Sequence, residues 1–251
     1  MKLEQIHSGV ARRHPRLATA LASVLGMRGR LWRHNIPKET GFWEKYLDTC
    51  GGPLWSTGYH RRIDPNSAFD PDVGRFLKDE TTAVLDVGAG PITMLGYVWN
   101  GYRVRITAVD PLAREYDSML AKRGIVPAVR TQEGWAEELD SIFAPGSFDV
   151  THARNSLDHS IDAKRAIQQM YGVTKPGGVV YLRHHENEAL HQRFRGLHRW
   201  NFAIDTKGHM LLSTPGRLTV NLNTLFERVE TERKRDTGFV EAVIRKPLTA
   251  A

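Results

Sequence analysis

Cysteine is almost absent. Cys50 stands alone among 251 residues, so no disulfide can form within the chain and the fold must rest on a packed core. That usage suits a reducing, cytoplasmic setting. Long hydrophobic runs are also missing: no segment approaches the roughly 20 apolar residues of a membrane span, which speaks against a membrane-embedded role. The stretch 17–25 follows basic residues and faintly resembles a secretory core. It continues into Met27-Arg28-Gly29-Arg30 without a cleavage pattern, so it reads as an amphipathic helix. Repeats and low-complexity tracts are lacking. What is left is one large domain, or a domain with an appendage, long enough to bury roughly 70–75% of its unfolded surface.

The charge is unbalanced, at +7. It lies in short patches at 12–14, 28–33, 193–199 and 233–235 rather than in one run. Such patches read as a solvated basic surface, although a nucleic-acid track has the same sign.

The most informative stretch is Val84-Leu85-Asp86-Val87-Gly88-Ala89-Gly90-Pro91, with Thr107-Ala108-Val109-Asp110 about twenty residues on. An apolar run enters a glycine-rich turn, and a second apolar run ends in an acid. Glycines let backbone approach a ligand closely, and an acid at that place accepts hydrogen bonds from ribose hydroxyls. Strands are expected at 83–87, 104–109, 125–129, 148–153 and 179–183, with a closing pair at 226–230 and 239–244. Helices are expected from Pro91 to about Gly101, at 112–122, at 136–143, and from an Asp162 cap to about Gly172. Alternation of this kind implies a mostly parallel sheet covered on both faces, with ligands at the carboxyl ends of the strands. Residues 1–80 show no such alternation. They are rich in aromatics (Trp32, Phe42, Trp43, Tyr46, Trp55, Tyr59) and read as a helical lid or substrate-binding segment. Residues 81–251 read as the main domain, with an insertion at about 186–216.

In its ordered elements, LDVGAG at 85–90, AVD at 108–110, GWAEEL at 134–139, FDVTHARNSLDH at 148–159 and KPGGVVYL at 175–182, the chain resembles the class I S-adenosylmethionine-dependent methyltransferases of small-molecule type. The resemblance covers about residues 80–245. It implies a Rossmann-like seven-stranded sheet, S-adenosyl-L-methionine as methyl donor and S-adenosyl-L-homocysteine as product. By resemblance, Asp86, Gly88, Ala89 and Gly90 hold the amino-acid part of the cofactor. Asp110, followed by Pro111, is the ribose acid. Gly134, Trp135 and Ala136 stand where the family usually has Gly-Asp-Ala beside the adenine, so the usual acid is missing; Glu133, Glu137, the Trp135 ring or backbone groups are the alternatives. Arg154 is placed in the same cofactor set.

The acceptor is expected beyond the fourth and fifth strands, where titratable groups concentrate. A neutral hydroxyl is a poor nucleophile, and a histidine near its ordinary pKa is a suitable base. His159 is the first choice, with Asp158 orienting it; His185 and Glu186 are the second. The same four side chains could instead ligate a divalent ion such as Mg²⁺. Residues 187–202 are expected to be helical, with Leu190, Phe194 and Leu197 on one face and His191, Arg195 and His198 on another. The polar face, with Asn155 and Trp200, is expected to line the acceptor. These features point to O-methylation of a sugar or specialised metabolite by a monomer or homodimer. N- or C-methylation is the alternative, with RNA methylation and a non-catalytic scaffold behind it. After the fourth strand the chain reads Arg154-Asn155-Ser156-Leu157, without the Asn/Asp-Pro-Pro-aromatic motif expected for a base amino group.

Overall fold

A computed structural model describes residues 26–248 together with 14, 16, 17, 19 and 20. The helix expected over 17–25 therefore falls largely outside the described residues. The chain opens with α1 (Arg28–Asp48), α2 (Gly52–Ile63) and the single turn α3 (Pro71–Gly74). Then come β1 (Ala83–Val87), β2 (Val98–Trp99), β3 (Tyr102–Arg103), β4 (Arg105–Asp110), α4 (Ala113–Ala121), β5 (Thr131–Glu133) and a 3₁₀ segment, Ala136–Ser141. β6 (Phe148–Arg154), a 3₁₀ turn at Leu157–His159, α5 (Ala163–Val173) and β7 (Thr174–His185) follow. The remainder is α6 (Glu188–His191), β8 (Asn201–Ile204), β9 (Met210–Ser213), β10 (Val220–Asn221), α7 (Leu222–Leu225), β11 (Val229–Lys234) and β12 (Phe239–Arg245).

The seven-stranded sheet runs β11-β12-β7-β6-β1-β4-β5. Its five strands from β7 to β5 are mutually parallel, while β12 is antiparallel to both neighbours. Strand alternation sends Val84, Val150, Tyr181 and Val243 into one core cluster and Leu85, Val87, Ala153, Val180 and Leu182 into another, so both faces are covered. The chain crosses from β1 to β4 and β5 on one side, then returns to β6 on the other. The crevice at the carboxyl ends of β1, β4 and β6 is the topological switch point where such sheets bind ligands.

Several expected elements differ. No helix follows Pro91. Backbone groups of 95–98 are paired with 67–70 instead: Asp70 N–H donates to Leu95 O (2.6 Å), Phe69 N–H to Val98 O (2.8 Å) and Tyr97 N–H to Ser67 O (2.9 Å). A chain paired outward in this way cannot also close i→i−4 bonds. Gly96 has φ +74° in this segment, and a Cβ there would lie 2.2 Å from Ala68 O. The strand expected at 125–129 lies instead at Thr131–Glu133, where the ladder with β4 forms. The first closing strand starts at Val229, three residues later than expected. Lys175–Gly178 is a bulge inside β7 rather than a turn before it: Phe148 pairs with Thr174, while Val150 pairs with Val179. Residues 187–202 do not form one helix. α6 ends after one turn, and Arg193, Phe194 and Gly196 take positive φ. Beyond it, β8, β9 and β10 form a separate three-stranded antiparallel sheet.

The N-terminal helices are tied to the sheet by apolar contact. Trp32, Tyr46 and Leu47 of α1 share a cluster with Ile92, Leu112, Tyr116, Met119, Leu120 and Leu197. Gly96→Ala is expected to cost about 2 kcal/mol or more in denaturant unfolding, because both the positive φ and the backbone contact oppose a Cβ. An unchanged midpoint would mean that 95–98 is not seated against 67–70.

Candidate active site at the carboxyl edge of the sheet

The turn after β1 is held from three sides. Val109 O accepts from the N–H groups of Gly88 (2.8 Å) and Ala89 (3.1 Å). Thr131 Oγ1 donates to Gly90 O (2.9 Å), and Ser156 Oγ donates to Val87 O (2.9 Å). Gly88 is required by packing, since its Cβ would stand 2.3 Å from Ser156 Cβ. Asp110, ending β4, accepts from Gly90 N–H (3.1 Å) and Leu112 N–H (3.0 Å). Burial raises the Asp110 pKa to about 7; these two backbone donors oppose the rise, and Glu39 and Asp86 add to it. Pro111 follows at the turn into α4. Asp86 lies beneath the turn with both oxygens engaged, one by His152 Nδ1 (2.8 Å) and one by the Thr93 hydroxyl (2.6 Å). Asp86 and His152 are register partners on β1 and β6, which puts the pair side by side in the interior. Burial works against the Asp86 charge, but His152 and Thr93 outweigh it and hold the carboxyl below its ordinary range.

α1 lies across this turn. A Cβ on Gly90 would meet the Trp43 ring at 2.7 Å. Arg62 of α2 stacks over Trp43 (5.1 Å to its centroid) and donates to the carbonyls of Ala89 (3.2 Å) and Ile92. Trp32 packs against Trp135, centroids 4.6 Å apart. Gly134 N–H donates to Asp110 O (3.3 Å), and Ala136 begins the 3₁₀ segment. Of the acids that might replace the missing adenine partner, Glu137 accepts from Asp162 N–H (3.0 Å), and Glu133 pairs with Arg114 (2.5 Å).

Beside the turn, three side chains converge. His198 Nδ1 is 2.7 Å from Asp158 Oδ2 and 3.2 Å from His159 Nε2, and His159 Nε2 is 3.4 Å from Asp158 Oδ2. The convergence is built by backbone: Asp158 O accepts from both Arg199 N–H (2.7 Å) and Trp200 N–H (3.0 Å), pinning the turn after β6 to the strand entry at β8. Asp158 is 4% exposed. Burial alone would raise its pKa, but the imidazoles of His159 and His198 prevail and hold it well below the usual carboxylate range. His198 is shifted up: burial opposes its charge, and the Asp158 hydrogen bond more than offsets this. Glu39 of α1 completes the group, with Oε2 3.6 Å from His159 Nδ1 and Oε1 accepting from Trp43 Nε1 (2.9 Å).

The other expected site residues are dispersed. His185 stacks on Phe239, and Glu186 pairs with Arg233 (2.7 Å), so neither joins Asp158 and His159. His191 and Arg195 are exposed. Trp200 is buried in the core with Arg28 over its ring. Asn155 Oδ1 accepts from His185 N–H (2.8 Å), bracing β6 against β7. Arg154 sits over Phe239 and 3.6 Å from Asp70. Glu39, Arg62 and His152 were not anticipated as site residues. A histidine inside the apolar fourth strand was the one visible signal, for His152. Glu39 had none, because only the packing of α1 brings it in.

A parallel sheet with a glycine turn and an acid at its switch point defines a nucleotide-cofactor fold. Residues 85–182 match the family model described as a methyltransferase domain. Over those residues the chain is thus similar to methyltransferases, in line with the resemblance its motifs carry. It is similar to a curated O-methyltransferase, resE, of Aspergillus sclerotiorum: 30% identical over 100 residues, which are 39% of this chain and 38% of that protein. The chain thus matches well under half the length of that relative. Among solved structures, it is similar to a putative S-adenosyl-L-methionine-dependent methyltransferase of Methanococcus maripaludis (13% identity, 83% of this chain and 94% of that one, TM-score 0.49). It is also similar to a SAM-dependent methyltransferase of Methanosarcina mazei (21% identity, 72% of this chain and 100% of that one, TM-score 0.42). No described helix is long and apolar enough to cross a membrane.

His184 lies under this edge, 1% exposed and stacked on Phe202 with centroids 4.0 Å apart, and neither ring nitrogen has a hydrogen-bond partner. Burial lowers its pKa to about 4, against a partial offset from Asp158. A histidine held below its unfolded value favours folding fully only above about pH 6.5, and its contribution is lost as pH falls from there toward 4. His184→Phe is expected to remove about 2 kcal/mol of the stability lost between pH 7 and pH 5. Chemical unfolding at both pH values checks this, and equal losses in the two proteins would contradict it.

Proposed function

We propose that the chain transfers the methyl group of S-adenosylmethionine to a hydroxyl of a sugar or other specialised small metabolite. The observation that carries this reading is the convergence of Asp158, His159, His198 and Glu39 beside the glycine turn. A hydroxyl acceptor needs a group that relieves it of a proton, and the imidazole nitrogens of this cluster would serve an acceptor bound beyond β6. The partial likeness to a curated O-methyltransferase supports the same choice.

The residues present suit the cofactor. Asp110 is buried and takes only backbone N–H groups, so a ribose diol would satisfy lone pairs left over. Gly88 and Gly90 carry no side chains of their own, so backbone can come close to a ligand at the turn. When bound, S-adenosylmethionine supplies a methyl already activated on a sulfonium. The protein's part is to aim the acceptor oxygen, to take its proton at the cluster, and to exclude water beneath α1, which acts as the lid.

The direct test is transfer of labelled methyl from S-adenosylmethionine into two pools, the small-molecule fraction of the source cell and its unmodified RNA. Label is expected in the small molecules, and label in RNA would overturn the reading. His159→Ala is expected to keep cofactor affinity and to lose turnover at least a hundredfold. Asp110 is protonated below about pH 7 and charged above it. A diol prefers the charged acceptor, so cofactor affinity measured by calorimetry is expected to rise about tenfold from pH 6 to pH 8. Asp110→Ala should bind weakly at both. A flat wild-type profile would remove Asp110 from the ribose role.

A further inference from the structure

We propose that Asp158, His159 and His198 form a binding site for one divalent ion of the borderline type, with Zn²⁺ as the representative. Their three facing atoms, Asp158 Oδ2, His159 Nε2 and His198 Nδ1, stand 2.7, 3.2 and 3.4 Å from one another. An ion about 2.1 Å from each, the ordinary zinc–nitrogen and zinc–oxygen length, would sit about 1 Å above their plane. The three atoms supply one face of a tetrahedron and leave its fourth position to another ligand.

Hydrogen bonding satisfies this triangle poorly. One proton on His198 Nδ1 serves the Asp158 contact. His159 Nε2 then either shares that same proton at 3.2 Å or turns its own N–H toward Asp158 at 3.4 Å, bringing two N–H groups together. A single cation satisfies all three atoms at once. A second observation points the same way: Asp158 Oδ1 is buried and has no hydrogen-bond partner, although the residue is 4% exposed. A carboxylate with one oxygen in the triangle and its other oxygen unpaired can shift toward two-oxygen coordination. The surroundings suit ligation as well. Metal-bound histidines commonly direct their second nitrogen at a carboxylate, and Glu39 Oε2 lies 3.6 Å from His159 Nδ1.

The donor set selects the ion. Two imidazoles and one carboxylate favour Zn²⁺ and its first-row neighbours over Mg²⁺, which prefers oxygen ligands. His185 and Glu186, the other ligands considered from sequence, are engaged with Phe239 and Arg233. Ion binding stands on these contacts alone. Only its consequence rests on the proposed function: at its fourth position the ion would hold an acceptor oxygen and make its proton more acidic, so that the proton leaves to water rather than to the imidazole nitrogens the ion occupies.

The test uses the full, untagged chain, stripped with a chelator and titrated with Zn²⁺ by calorimetry and with Co²⁺ by visible absorption. One ion per chain is expected, with a four- or five-coordinate Co²⁺ spectrum. His198→Ala and Asp158→Asn should weaken Zn²⁺ binding at least a hundredfold, and Glu39→Gln roughly tenfold. His34→Ala, an exposed histidine on α1, should leave it unchanged. Circular dichroism confirms that each variant is folded; should His198→Ala fail to fold, His198→Asn carries the comparison. Absence of binding, or binding that survives in the folded ligand variants, overturns the site. The two proposals fail separately: methyl transfer without ion binding removes only the metal, and ion binding without transfer removes only the function.

Discussion

The site depends on one carbonyl. Asp158 O takes two backbone donors, from Arg199 and Trp200, and so fastens the turn after β6 to a segment forty residues further on. Without that clamp, His198 would belong to a surface excursion and Asp158 would be a buried charge facing one imidazole. With it, the carboxylate loses its water but gains two imidazoles. A buried ion must be matched by partners or it destabilises the fold. The clamp is what supplies the second partner.

The same economy runs along the carboxyl edge. Asp86 is matched by His152 and Thr93, each reaching it from a different element. Asp110 has only backbone N–H groups as hydrogen-bond partners, with Glu39 and Asp86 as like-charged neighbours, and burial pushes it toward neutrality. His184 has no partner and is held neutral by burial. The edge thus contains acids and bases whose surroundings drive their proton affinities apart, the condition under which groups of similar chemistry take different roles.

Much of this architecture was legible in the sequence because parallel strands buried on both faces read as apolar runs. Ala83–Val87 and Phe148–Arg154 were placed to within a residue, and Asp162 caps α5 as anticipated. What failed was local chemistry overruled from a distance. Pro91 invites a helix, but Ser67, Phe69 and Asp70 take up the backbone of 95–98 instead. The 187–202 helix had the right apolar spacing, yet Leu190 is exposed while Phe194 and Leu197 turn inward on residues with positive φ or beside them. At the site, Asp158 and His159 were visible as an acid–histidine pair after a strand. His198 was named for a helical face that does not exist. Glu39 carries no sequence mark, since its place follows from the packing of Trp32, Tyr46 and Leu47 on α4.

Trp43 against Gly90 has a thermodynamic side. A molecule laid against Gly90 would meet that indole, whose nitrogen donates to the Glu39 carboxylate. Entry at one end of the crevice is thereby linked to the electrostatics at the other. Were the indole to move aside for a ligand, measured affinity would be the intrinsic affinity multiplied by the share of molecules in which it has done so. A ligand that wins does so partly by unmaking an internal bond, and it leaves His159 with a different neighbour from the one it had before.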